Sequence, residues 1–253
     1  MIKTIPIKEL DRLMSVSPTA KERAVEHETF VIPDYQRGYR WEADVHVEAL
    51  LNDILAFSKM HRSSSDRYCL QPIVVAPSSF IPGAWEVIDG QQRLTTIYLL
   101  MHALVSNGEF GIFNLSFETR VKSNKFIVEL VTEGKENHDD PDFHYMSEAW
   151  KKINQWIEKQ KALDPGFKFS YLNVLMNQVN IIWYNTESAD RDANIDLFNH
   201  LNIGKIPLTN AELVKALILT KLKGLYEGAE LSLRQAEINN QWYHIENELR
   251  KPA

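Results

Sequence analysis

The sequence is poor in cysteine and lacks a long apolar run, and both shortages restrict the kind of protein it encodes. Cys69 is the single cysteine among 253 residues, so the chain forms no internal disulfide and no cysteine-based zinc site. The longest apolar stretch, residues 94–105, contains Thr95, Thr96 and His102 and is too short to cross a bilayer. The N-terminus lacks the apolar core of a signal peptide. We therefore expect a cytoplasmic protein without membrane contacts.

Basic residues are also fewer than acidic residues. Lys and Arg number 28 against 34 Asp and Glu, which gives a net charge of −6. Proteins that coat nucleic acid are usually basic, so this balance argues against a large DNA-binding surface and leaves room for a local cationic site. Gly and Pro number only 10 each, and 44% of the residues are hydrophobic, which is typical of a globular chain. The length suits one large domain, or two small domains that share a core.

Hydrophobic periodicity indicates strands mainly in the first half of the chain and helices mainly in the second. Strands are predicted at 28–32, 71–76, 85–88, 113–117 and 181–185. A short first helix is predicted from the spacing of Ile7, Leu10, Leu13 and Met14. Further helices are predicted from Asp44 as N-cap, from about 91 to 105, and at 123–130, 145–162, 168–178, 190–201, 209–223 and 229–250, with a mobile loop at 134–142. This order predicts an α+β fold, with a small α/β unit at residues 1–110 and a mainly helical region at 111–253 that completes the same domain.

The stretch WEVIDGQQRLTTIYLLMHAL predicts a strand, a tight turn and a helix. Gly90 allows a sharp turn or a close approach to a ligand. The first helical amides lack intrahelical acceptors and, with the helix dipole, favour an anion. Arg93 adds a cation suited to phosphate, while Gln91 and Gln92 can donate to phosphate oxygens or orient a water. Asp89 can bind a cation or accept a proton.

A purely structural interpretation fits the same residues. Asp89 followed by Gln92 three positions later matches a variant of the capping box, in which Asp89 only satisfies the start of the helix. Arg93 then pairs with a surface carboxylate. The spacing alone leaves both interpretations open.

The stretch IPDYQRGYRW alternates aromatic and basic side chains. Tyr35, Tyr39 and Trp41 stand beside Arg37 and Arg40, a combination that suits stacking on a base together with phosphate contact. The alternative is a loop that its aromatic residues anchor to the core while its arginines face solvent. For Tyr39 and Trp41 this alternative is favoured.

A third stretch, LFNHLNIGKIPLTNAELVKALIL, contains a capping box formed by Thr209 and Glu212. On its own this segment indicates a structural role and no binding or catalytic one.

The three stretches in this order resemble the DGQQR-signature domain family of GmrSD-type (type IV) restriction systems and related bacterial anti-phage proteins. The segments FETRVKSNKF and EAWKKINQWI are similar to what lies between the motifs there, so the resemblance covers about residues 28–219. It implies a ParB/sulfiredoxin-like N-terminal fold continued by helices. In such relatives a turn like Gly90 to Arg93 holds nucleotide phosphates.

The resemblance further implies that the chain hydrolyses a nucleoside triphosphate, GTP or ATP, with Mg²⁺, and that this activity controls DNA restriction. DNA cutting in the family usually belongs to a separate C-terminal HNH-type nuclease domain. This chain stops at Ala253, and none of its eight histidines has a convincing metal-ligand spacing. We therefore expect a regulatory fragment or a short member, with DNA contacted through a partner or a missing nuclease domain.

Positions carried over from the family give the site residues. The catalytic set is Asp89, Gln91, Gln92 and Arg93, with Asp89 also as the metal ligand, and the nucleotide-binding set is Tyr35, Gln36, Arg37, Gly90, Arg93, Arg120, Asn202 and Lys215. For the last three, an ion pair or a helix-surface role is an equal explanation, and Tyr39 is an alternative to Tyr35 for stacking on the base. Two other functions stay open: a ParB-like DNA-binding or nuclease module without nucleotide turnover, and a non-catalytic interaction scaffold.

Overall fold

The structure is a computed structural model that describes residues 2–7, 10, 28–60, 63, 65–79, 81–105, 113–186, 190–202, 218, 221–222, 225–226 and 228–249. Its strands are β1 (Ile2–Pro6), β2 (Thr29–Ile32), β3 (Tyr68–Pro77), β4 (Trp85–Asp89), β5 (Asn114–Phe117) and β6 (Val179–Asn185). Its helices are α1 (Glu48–Lys59), α2 (Gln91–Leu104), α3 (Val121–Glu133), α4 (Pro141–Leu163), α5 (Phe167–Gln178), α6 (Arg191–Asn202) and α7 (Gly228–Leu249). Among these helices, none has the length and apolar character that crossing a bilayer requires.

The six strands form one mixed sheet in the order β1-β6-β3-β4-β2-β5. Strand β3 runs parallel to β6, and β2 runs parallel to both β4 and β5, whereas β1–β6 and β3–β4 are antiparallel. A mixed sheet combined with helices confirms the predicted α+β class. Strands β5 and β6 come from the region after residue 110 but belong to the same sheet as the earlier strands. The predicted division into residues 1–110 and 111–253 stays a prediction.

Both faces of the central strands are buried. Along β3, Ile73 and Val75 face the main core, whereas Val74 and Ala76 belong to a separate small cluster. The residues of α6 that pack on this small cluster are Leu197, Phe198 and Leu201. Successive side chains of a strand point to opposite faces, so β3 needs apolar residues at consecutive positions. This explains the continuous run Ile73–Ala76 and places β3 and β4 at the centre of the protein.

Strand β1 precedes the predicted first helix, whose apolar positions are Ile7, Leu10, Leu13 and Met14. Ile7 and Leu10 follow this strand and are fully buried, while Leu13 and Met14 of the same prediction lie outside the described residues. Strand β1 lies at the edge of the sheet, and only Ile5 of its five residues is buried. Buried and exposed residues do not alternate along such a strand, so periodicity could not predict it as a strand.

The approach to α1 also differs from the prediction. A π-helical turn at Ala43–Val47 precedes α1, with Glu42 rather than Asp44 as its N-cap residue. Asp44 instead forms an ion pair with Lys152 of α4, which also contacts Glu48 at 3.0 Å. Asp44 therefore links two helices and does not cap one. The helix predicted at 209–223 and its Thr209–Glu212 capping box lie almost entirely outside the described residues.

Candidate functional site

The strand–turn–helix junction at Gly90 is confirmed. Strand β4 ends at Asp89, Gly90 has a φ of 95°, and α2 begins at Gln91. A Cβ on Gly90 would lie 3.1 Å from Ile73 Cγ1 and 3.2 Å from the Pro72 carbonyl oxygen. Both conformation and space therefore require glycine here. The N-cap residue of α2 is Gly90 and not Asp89, so the capping-box interpretation is wrong.

The two glutamines of the motif hold the loop at residues 33–42, here called the motif loop. Gln91 Nε2 donates to the carbonyl of Arg37 at 2.6 Å, and Gln92 Nε2 donates to that of Gly38 at 2.9 Å. Gln92 Oε1 accepts from the backbone N–H groups of Arg40 at 2.7 Å and Trp41 at 3.2 Å. The carboxamides thus fix the motif loop against the first turn of α2.

Gln36 and Tyr35 fasten the motif loop to β4. Gln36 is almost fully buried and its Nε2 donates to the carbonyls of Val87 and Ile88, the latter at 3.0 Å. The Tyr35 hydroxyl donates to Glu86 at 2.9 Å, and its ring lies 5.3 Å from that of Phe198. These contacts hold the loop across the end of the sheet.

Tyr39 is part of the core. Its side chain is 1% exposed and its hydroxyl shares a 2.8 Å hydrogen bond with Thr96. Burial raises the pKa of Tyr39 well above its usual value. A ring in this position cannot stack on a bound base, so the anchoring alternative is correct for Tyr39. Trp41 is half-buried and stacks on His46 with 5.8 Å between ring centres.

A buried carboxylate that sequence analysis missed joins two of the arginines. Asp142 is 2% exposed, and its Oδ1 accepts from Arg40 at 2.5 Å while its Oδ2 lies 3.4 Å from Arg120 Nε. Arg40 also lies over the ring of Tyr145, and Arg120 donates to the Gln36 carbonyl at 3.0 Å. Both guanidinium groups therefore serve as links between the motif loop, α3 and α4.

Arg93 lies beside an irregularity in the sheet. The β3–β6 pairing shifts register between Leu70 and Ile73, at Pro72, which has no N–H to donate. Arg93 donates to the carbonyls of Gln71 at 3.2 Å and Pro72 at 2.8 Å, and to Gln71 Oε1 at 2.6 Å. Burial lowers the pKa of Arg93, and the charge of nearby Asp89 opposes this shift. The predicted surface carboxylate partner is therefore replaced by backbone and amide oxygens of β3.

Arg37 differs from the other arginines of the motif loop and α2. It is half-buried, yet its guanidinium forms no hydrogen bond or ion pair with any described residue. Its carbonyl is held by Gln91, which keeps Arg37 next to the start of α2. A guanidinium without a partner among the described residues has all its donors available to an anion, and guanidinium groups suit phosphate oxygens.

Two predicted residues cannot be placed. Asn202 is the last residue of α6, with its side chain outside the described part, and Lys215 lies within 203–217, which is not described.

For the metal, Asp89 is a single half-buried carboxylate at the end of β4. Mg²⁺ is commonly bound through one or two carboxylates together with phosphates and waters, so Asp89 fits that ion.

The fold and site define an α+β protein in which a DGQQR turn locks an aromatic and basic loop onto a helix N-terminus. Comparison with protein-family models identifies the GmrSD restriction endonuclease N-terminal domain over residues 21–219. The chain belongs to this family and is a module of a restriction system. A search of curated proteins gave no match.

Proposed function

We propose that this module binds a nucleoside triphosphate at the first turn of α2 and hydrolyses it to regulate restriction. The observation that carries the proposal is Arg37, a half-buried residue that is held beside that turn and whose guanidinium has no partner among the described residues. Guanidinium groups match phosphate oxygens with two parallel donors. We therefore expect the phosphate groups of a nucleoside triphosphate to accept from Arg37.

The surroundings of Arg37 favour phosphate further. Helix α2 begins directly after Gly90, and its first backbone amides, which lack acceptors within the helix, favour an anion together with the positive end of the helix dipole. Arg93 adds a second cation, which oxygens of β3 hold in place. Gln36, Gln91 and Gln92 contribute by fixing the motif loop, and thereby the position of Arg37.

Asp89 is the group proposed for the chemical step. It would accept the proton of a water whose oxygen attacks the γ-phosphorus as the bond to the β–γ bridging oxygen breaks. Mg²⁺, when bound by Asp89 and the phosphate oxygens, would neutralise charge on the phosphates. Arg37 and Arg93 stabilise the negative charge of the transferring group.

The decisive variant is Arg37→Gln. Arg93→Ala would remove three hydrogen bonds to β3 and so disturb the fold, whereas Arg37 has no such bond to lose among the described residues. Loss of a charge-assisted contact of about 1.5–3 kcal/mol should weaken nucleotide affinity by about ten- to a hundredfold. The matched control is Arg67→Gln at an exposed arginine.

Calorimetric titration with ATP and GTP in the presence of Mg²⁺ measures this affinity, and phosphate release measures turnover. Asp89→Asn should bind nucleotide and lose turnover. The proposal is refuted if neither nucleotide binds the native chain, or if Arg37→Gln binds as tightly as Arg67→Gln.

One observation favours a second function, the non-catalytic scaffold. The carboxamides of the motif glutamines are hydrogen-bonded to the motif loop, which is a structural role. A scaffold predicts no nucleotide binding, so the same titration separates the two functions. The DNA-binding alternative predicts instead salt-dependent retention of DNA by the chain alone.

A further inference from the structure

Two histidines and a glutamate meet at the start of α4, apart from the motifs. The Nδ1 atoms of His138 and His144 are 3.0 Å apart, and His138 Nδ1 lies 3.9 Å from Glu148 Oε1. One ligand atom from each of the three residues lies within 4.8 Å of the other two. In the described residues this is the one such group of three or more His, Cys, Asp or Glu side chains.

We propose that His138, His144 and Glu148 form a binding site for a Zn²⁺-class metal ion. Two imidazole nitrogens at tetrahedral angles around zinc are about 3.3 Å apart, close to the separation seen here. Imidazole with one carboxylate suits zinc and similar transition metals, whereas Mg²⁺ and Ca²⁺ prefer oxygen ligands. Three protein ligands leave the fourth position to water.

The second ring nitrogen of His138 also has a suitable neighbour. Its Nε2 lies 3.8 Å from Glu136 Oε2, on the side of the ring away from His144. Histidines that bind a metal through one nitrogen usually direct the other N–H to a carboxylate or carbonyl, which fixes the ring. His144 and Glu148 are four residues apart on α4 and so share one face of the helix.

The segment that carries His138 is tied to α4 before any metal binds. The N–H of Asn137 donates to the Ser147 hydroxyl at 3.0 Å, and that hydroxyl donates back to the Asn137 carbonyl at 3.0 Å. Ser147 is fully buried, and Asp140 caps the helix by accepting from the Asp142 N–H at 2.8 Å. Within the segment predicted as a mobile loop, Asn137 and Asp140, which lie on either side of His138, are therefore both tied to α4. Little ordering is left for the metal to impose.

The test uses the full, untagged chain freed of metal, titrated with ZnCl₂ by calorimetry and with Co²⁺ by visible absorption. We expect one Zn²⁺ per chain, a tetrahedral Co²⁺ spectrum, and displacement of Co²⁺ by Zn²⁺. Changes to groups behind a metal ligand weaken binding by about 10- to 100-fold, so Glu136→Gln should fall in this range. His144→Gln removes a ligand itself and should cost more than about 100-fold.

His200→Gln is the matched control, since His200 is an exposed histidine on α6. It should bind Zn²⁺ like the native chain. A stoichiometry well below one overturns the proposal, as does a His144→Gln chain with native affinity. Circular dichroism checks folding, and Glu148→Gln, which keeps the shape of the side chain, replaces His144→Gln if that variant is unfolded.

Discussion

Replacement of Gly38 by alanine tests whether the contact between the motif loop and α4 is as close as the structure shows. Gly38 is buried, and a Cβ there would overlap the carboxylate of Asp142. Asp142 is itself buried between Arg40 and Arg120, so it cannot move aside without loss of these ion pairs. One added methyl group therefore acts on a charged network and not only on packing.

The expected cost follows from two alternatives. Overpacking of a buried site costs about 1–3 kcal/mol if Asp142 stays in place. Loss of its charge-assisted hydrogen bond to Arg40 costs about 1.5–3 kcal/mol if Asp142 moves. These two costs partly exclude each other, because one applies if Asp142 stays and the other if it moves. We therefore expect the free energy of unfolding to fall by about 2–4 kcal/mol. For a chain of this size that is a fall of about 5–15 °C in Tm.

Thermal and urea unfolding followed by circular dichroism measure this cost. Gly166→Ala is the matched control, because Gly166 has an ordinary φ of −83° and a Cβ there meets only Asp164 at 3.4 Å. That variant should be neutral, or more stable by up to about 1 kcal/mol, since alanine restricts the unfolded chain.

A double-mutant cycle decides the mechanism. In an Asp142→Ala background the new methyl group at Gly38 has room, so the double variant should be no less stable than Asp142→Ala alone. Additivity within about 0.5 kcal/mol would refute a direct contact between the two positions, as would equal Tm values for Gly38→Ala and Gly166→Ala.

Three further predictions concern stability. Gln36→Ala removes two buried hydrogen bonds to carbonyls of β4 and should cost about 1–3 kcal/mol, whereas exposed Gln155→Ala should change the free energy of unfolding by less than about 0.5 kcal/mol, both measured by urea unfolding. Gly90→Ala should destabilise more than Gly83→Ala in thermal unfolding, because both have positive φ but only Gly90 is crowded, and equal losses would contradict this. Burial lowers the pKa of His102 to about 4 in the folded protein, whereas in the unfolded chain it stays near 6.5. As the pH drops from about 6.5 to 4, the unfolded chain therefore binds a proton at His102 before the folded protein does, and the free energy of unfolding should fall. Urea unfolding over this pH range should show a shallower fall for His102→Gln than for the native chain.

The elements that sequence analysis predicted best have a strong local signal. Strand β4 and helix α2 combine apolar runs with an Asp-Gly turn, and β6 combines β-branched and aromatic residues. Strand β1 has no such signal, because its partner β6 lies almost 180 residues away and its own residues are mostly exposed. Its assignment depends on tertiary pairing alone.

The role of the motif glutamines could not be predicted for a similar reason. A carboxamide donates equally well to phosphate or to a backbone carbonyl, and the carbonyls of Arg37 and Gly38 are each 54 residues before the glutamine that binds them. The histidine spacing was equally uninformative, since His138 precedes α4 and His144 lies within it. Their closeness depends on Ser147, whose hydroxyl turns the preceding segment back onto the helix.

The order of strands in the sheet has a consequence for synthesis of the chain. Strand β3 has β4 on one side and β6 on the other, and roughly a hundred residues separate the end of β3 from the start of β6. At the usual rate of translation, about 5–20 s pass before β6 emerges from the ribosome. During that time an apolar strand edge, including Ile73 and Val75, stands open to other nascent chains. We expect aggregation during expression to depend on how quickly β6 is made and docks beside β3.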